Sequence, residues 1–122
     1  MATTDGASSN HLYARLSELE QETDFDFVVE LIDIYLTETP KHIQAITSAL
    51  DTKNFPSLMV SAHTLKGSSL NLGAKELGAL CLKLEEIGRA AKSIPLGTSV
   101  NEIENEFEVV KTSLMSFKKS RK

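Results

Sequence analysis

The stretch Phe25–Leu50, FDFVVELIDIYLTETPKHIQAITSAL, decides what kind of fold this chain can form. Phe25, Val29, Ile32, Leu36, Thr39, Ile43, Ile46 and Leu50 recur in alternating steps of four and three. That spacing lays an apolar seam along one face of an α-helix and sustains it for nearly four heptads. Pro40 interrupts the run, yet the apolar phase is unchanged beyond it. A kinked helix or two abutting segments fits this pattern better than a loop.

Outward from this seam the chain keeps the same period. Leu12, Leu16 and Leu19 predict a short helix over about 10–20 that Ser9 or Asn10 could cap, after a small, polar and disordered lead at 1–9. On the other side, Asp51-Thr52-Lys53-Asn54 reads as a turn, with Asn54 as N-cap and Pro56 in the first helical turn. The next helix turns Phe55, Leu58, Ala62, Leu65, Ser69 and Leu72 inward until Gly73 ends or bends it. Another, over about 75–92, carries Leu77, Leu80, Cys81, Leu84, Ile87 and Ala91 on one face. Ser93–Ser99, with Pro95 and Gly97, reads as a loop. A last helix, about 98–118, buries Val100, Ile103, Phe107, Val110, Leu114 and Phe117 before a basic tail at 119–122. No segment alternates with period two. The expected fold is all-α: an antiparallel up-down-up-down four-helix bundle over 10–118, with the short N-terminal helix as a cap.

Composition narrows the function. A chain of 122 residues, 41% hydrophobic and 25% charged, suits one soluble globular domain. Its net charge of −4 argues against nucleic acid as a partner. The single Cys81 rules out an internal disulfide and reads as a buried thiol. No apolar run approaches the roughly 18 residues that span a bilayer, and the N-terminus lacks the pattern of a secretory signal. A cytoplasmic location is expected. His11 and His42 lie far along the chain from His63 without metal-ligand spacing, so no metal is expected. Glu85-Glu86 and the run Glu102, Glu104, Glu106, Glu108 read as solvated faces.

One local feature resists a purely structural reading. The third long helix contains AHTLKGSSLNLG, residues 62–73, although a glycine in a helix interior costs about 1 kcal/mol relative to alanine. At about 100° per residue, the inward stripe of this helix centres roughly 130° from His63. Met59, Lys66, Gly67 and Leu70 fall within about 60° of that histidine. An exposed histidine alone is usually incidental, and Lys66 alone would be an ordinary solvated charge. Together they have a shared logic. Gly67 removes a side chain beside the imidazole, Lys66 places a cation where an anion on the ring would sit, and Met59 and Leu70 give an apolar rim for docking. The combination suits an imidazole that carries an anionic group delivered by another protein.

These residues resemble the histidine phosphotransfer (HPt) domain family, in which H-x-[LF]-K-G-[SA], a Gly ten residues after the His and a following C-x-x-L-E recur together. AHTLKGSSLNLGAKELGALCLKLE, residues 62–85, carries that pattern. The resemblance is specific around 62–89, and the helix count fits it over about 10–118. It implies His63 as phosphoryl carrier, Lys66 as the stabilising cation and Gly67 as the access residue, with Ser68 supporting. It also implies transfer between aspartates of receiver domains, in response regulators or hybrid histidine kinases. Glu85 falls where many family members place a polar residue near the imidazole. It could accept from His63 Nδ1–H, pair with Lys66, or be a plain surface glutamate.

The chemistry agrees. Neutral imidazole is a good nucleophile near neutral pH, and phosphoryl transfer asks chiefly for positioning and charge neutralisation. No nucleotide loop or kinase motif is visible, so an autonomous enzyme is disfavoured and no cofactor is expected. A catalytically silent docking bundle would not need a histidine beside the lysine and glycine. The expected protein is a monomeric phosphorelay carrier.

Overall fold

The computed structural model describes residues 3–91 and 97–120, with side chains over 11–91 and 100–120. Among the described residues every regular element is a helix: α1 (Thr3–Glu22), α2 (Phe25–Asp51), α3 (Phe55–Asn71), α4 (Lys75–Ala90) and α5 (Gly97–Lys119). The helix starts are set locally. Asp24 accepts from the Phe27 amide and Asn54 from the Ser57 amide, each satisfying a donor that the first turn leaves open. At the end of α3, the Gly73 amide donates to the Leu70 carbonyl and the Ala74 amide to that of Ser69, a Schellman stop. Gly73 has φ +89°, and a Cβ there would meet Arg15 Cβ at 2.6 Å and the His11 carbonyl at 2.9 Å. Only glycine allows both the left-handed turn and this approach of α1.

Helices α2 to α5 form the bundle, and α1 packs across α5, α2 and α4. Leu12, Leu16, Ile32, Ile46, Leu58, Leu65, Leu77, Leu84, Ile103 and Leu114 fill its centre. α2 runs through Pro40 as one helix, because Thr39 and Ile43 are buried on either side and hold the axis while Pro40 faces solvent. The α3–α4 pair packs most extensively. At its crossing, a Cβ on Gly88 would lie 2.9 Å from the Met59 amide nitrogen and 3.0 Å from the Phe55 carbonyl oxygen. The backbones therefore meet without a side chain between them.

Several expectations change. The N-terminal helix is not short and begins at Thr3, so residues 3–9 are helical and not a disordered lead. Once Leu12, Leu16 and Leu19 anchor the helix, extending it costs only a few tenths of a kcal/mol at each Ala, Ser, Thr or Asp and about 1 kcal/mol at Gly6. In α2 the buried positions are Val28 and Tyr35, with Val29 and Leu36 half-buried. Each is one of two adjacent apolar residues, and Tyr35 takes the inner place because its hydroxyl shares a 2.8 Å hydrogen bond with Ser69 Oγ. In α4, Leu80 and Ile87 are half-buried, and Ala91 is an exposed left-handed residue past the helix end. The loop expected at 93–99 lies partly outside the described residues and otherwise forms the start of α5. Of the basic tail, Lys119 ends α5, and Arg121 and Lys122 fall outside.

Candidate functional site

Burial of Leu58, Ala62, Leu65 and Ser69 turns the opposite side of α3 outward, and His63 stands on that side with 66% of its side chain exposed. Beside it, a Cβ built on Gly67 meets no atom within 4 Å. The glycine packs against nothing, and the ring is open to approach from that direction.

Glu85 holds the cluster together. The stripe Leu77, Gly78, Cys81, Leu84 and Gly88 faces α4 inward, and Glu85, next in line to Leu84, sits at the edge of the α3–α4 seam with its side chain only 6% exposed. Its Oε2 lies 3.0 Å from His63 Nδ1 and 3.1 Å from Arg89 Nη2, and its Oε1 lies 2.7 Å from Lys66 Nζ. The hydrogen bond from Lys66, then that from His63, holds the Glu85 carboxyl below its ordinary value of 4.5 against the opposing effect of desolvation. An ionised carboxylate only accepts hydrogen bonds. The proton of a neutral His63 ring therefore sits on Nδ1, and Nε2 keeps its lone pair toward solvent.

Glu85 is thus neither a surface glutamate nor part of a solvated face. It serves both of the polar partners expected for it, because one carboxylate has two oxygens and α4 delivers them between His63 and Lys66. Glu86, Glu102, Glu104 and Glu108 are exposed, and Glu106 is half-buried. Lys66 is directed onto Glu85 and not into solvent. Met59 is half-buried, while Leu70 is 47% exposed and lies over Gly78, where a Cβ would come within 2.5 Å of Leu70 Cδ2. Ser68 donates to the Leu65 carbonyl at 3.2 Å and lines a groove of about 210 Å³ between α2 and α3 with His42. It is not brought to the ring.

Two residues near the site were not read from the sequence. Arg89 stands four residues after Glu85, a spacing that signals an ion pair on any helix but gains its meaning only once Glu85 is seen to be buried. Val60 is 63% exposed on the His63 face. No helix among the described residues is long and apolar enough to cross a membrane, and no group of three metal-binding side chains occurs among them.

Fold and site together define a helical bundle that presents one oriented imidazole on an open surface. The sequence pattern of the Hpt domain matches residues 30–113. The histidine-containing phosphotransfer protein 2 of Arabidopsis thaliana is 30% identical over 105 residues, covering 84% of this chain and 67% of that protein. The phosphorelay intermediate protein rdeA of Dictyostelium discoideum is 24% identical, over 81% of this chain and 39% of that protein. Among solved structures, the histidine-containing phosphotransfer protein B of Pseudomonas aeruginosa superposes with a TM-score of 0.83 at 24% identity, covering 89% of this chain and 94% of the other. The chain belongs to the Hpt domain family. It is a phosphorelay intermediate of two-component signalling, of the type that interacts with receiver domains.

Proposed function

We propose that His63 is the phosphoryl carrier and that Nε2 is the atom that takes the group. The observation that carries this reading is the pairing of an exposed ring with a buried carboxylate on its Nδ1 side. The Nε2 lone pair attacks the phosphorus of a receiver's aspartyl phosphate. The N–P bond forms as the P–O bond to the aspartate breaks, and the aspartate carboxylate leaves with that electron pair. Nδ1 keeps its proton, and Glu85 offsets the positive charge that the ring gains, much as a carboxylate supports imidazolium in a hydrolase triad. Reversal onto a second receiver aspartate completes the relay.

Lys66 supplies the cation for the phosphoryl oxygens from its place on Oε1, one helical turn from His63. Gly67 leaves room for the receiver to close on the ring, and Met59, Val60 and Leu70 form the apolar rim. Ser68 supports α3 and does not touch the phosphoryl group. The domain over 10–118 acts as a cytoplasmic monomer without ATP-dependent kinase activity of its own and without nucleic acid, since one site per copy suffices.

The test is incubation with a phosphorylated receiver domain. Label should reach this chain as an acid-labile, base-stable phosphoramidate, and His63→Gln should abolish it. Label that persists in His63→Gln would sink the assignment, as would labelling from ATP alone for the carrier role.

A further inference from the structure

Arg89 has no task in the transfer just described, yet it touches the centre of the site. Its Nη2 is 3.1 Å from Glu85 Oε2, the same oxygen that lies 3.0 Å from His63 Nδ1. Lys66 uses the other oxygen and does not compete. The two cations also differ in access, since the Arg89 side chain is 60% exposed and that of Lys66 21%. An oxygen that accepts from two donors gives each a weaker bond than it would give either alone. A guanidinium has five N–H donors in a planar fork suited to carboxylate and phosphate oxygens. An anionic surface closing over His63 can therefore draw Arg89 off Glu85 while Lys66 stays in place.

We propose that Arg89 is a positioning residue that restrains His63 in the free protein by sharing Oε2 with Nδ1–H. A partner surface of acidic or phosphorylated groups that takes up the guanidinium releases the restraint, strengthens the Nδ1–H to Oε2 bond and makes Nε2 a better nucleophile. Docking and activation are then one event. This rests on the reading of His63 as the phosphoryl carrier.

The test uses phosphoramidate, a small donor that reaches the ring without docking. Nε2 attacks its phosphorus, the N–P bond to His63 forms, the donor N–P bond breaks and ammonia leaves. Arg89→Gln should phosphorylate about two- to fivefold faster than wild type, and its His63 Nδ1–H proton resonance should move downfield. Arg89→Lys should return both toward wild type. In a Glu85→Gln background, Arg89→Gln should change neither. With a phosphorylated receiver domain as donor, the gain of Arg89→Gln should vanish, because docking has already freed the carboxylate. An unchanged or slower rate in Arg89→Gln overturns the proposal, and a slower one marks Arg89 as a direct phosphoryl ligand. An equal gain in the Glu85→Gln background also overturns it, by showing that Arg89 acts on the ring without the carboxylate. A gain that persists with the receiver removes the coupling to docking. If no donor places phosphate on His63, the carrier reading fails, and the Nδ1–H resonance still decides whether Arg89 acts through Glu85.

Discussion

The two sides of α3 use glycine and polar groups to opposite ends. On the outer side, Gly67 faces open space beside His63 and Glu85 gathers three cationic or ionisable partners at the rim. On the inner side, Gly88 brings the α4 backbone against that of α3, and the polar pair Tyr35–Ser69 is neutral and buried. In the interior the Tyr35–Ser69 pair is satisfied by a hydrogen bond without charge, whereas the rim can hold charge because water and partners reach it. A residue type therefore carries no role by itself. A glycine in the seam is about stability, and one across the helix is about access.

The largest expected effect separates the two glycines. Gly67→Gln should lower phosphotransfer from a receiver by more than about tenfold, a loss of over 1.4 kcal/mol of transition-state binding, while its melting temperature stays at or above the wild-type value. Gly88→Ala should do the reverse. Its Cβ meets backbone atoms of Met59 and Phe55 that cannot move alone, so the cost should be about 1–3 kcal/mol of stability. Transfer per folded molecule should survive. The comparison breaks if transfer and unfolding move together in both variants.

Next in size is the loss of Lys66. Lys66→Ala should slow transfer several-fold and shorten the lifetime of the phosphorylated form, since the cation one helical turn from the ring is gone. The fold should remain, since His63 and Arg89 still partner the Glu85 carboxylate. Single-turnover kinetics in both directions, with a melting curve, check this. Unchanged kinetics would remove Lys66 from the site.

The two polar centres should also respond to opposite ends of the pH scale. Glu85 titrates below 4.5 in the folded protein, so the native state holds fewer protons there than the unfolded chain. Its contribution is present above about pH 4.5 and is lost as the pH falls through the lowered folded value. Burial pushes the Tyr35 hydroxyl from 10.0 and the Cys81 thiol from 9.0, each up to about 12. Between those limits the unfolded chain gives up protons that the folded one keeps, so stability falls as the pH rises from about 9 toward 12. Denaturant midpoints measured across pH should show both limbs. Glu85→Gln should flatten only the acid limb and Tyr35→Phe only part of the alkaline one.

How much of this could be read from the sequence follows from what each feature depends on. His63, Lys66 and Gly67 were legible because they lie within one helical turn, where 100° per residue fixes their relative directions. The five apolar stripes were legible for the same reason. Glu85 stayed open between three roles, since its burial is decided by how α3 and α4 cross. Gly78 and Gly88 gave no signal for the same cause, because their neighbours lie on another helix. Tyr35 was displaced by Leu36 in the α2 stripe since adjacent apolar residues allow two phases, and only Ser69 across the interface chooses between them. The length of α1 was missed because small polar residues and Gly6 carry no stripe, yet they do not stop a helix that Leu12, Leu16 and Leu19 already anchor.

The smallest effect sharpens the comparison most directly, because it uses the same substitution on both sides of the helix. Gly67→Ala adds one methyl group into space where no atom lies within 4 Å. Nothing is displaced, and the unfolded chain loses the extra freedom of glycine, so helix propensity should raise stability by up to about 1 kcal/mol. Gly88→Ala adds the same methyl and gains the same propensity, but drives it against two backbones at about 3 Å and should come out destabilised. Equal intrinsic terms cancel between the two variants, and the difference between their melting shifts then reports packing alone. Transfer by Gly67→Ala should drop less than by Gly67→Gln, since a methyl group covers only the base of the ring. A Gly67→Ala protein that melts below wild type would show that the outer face of α3 is packed after all.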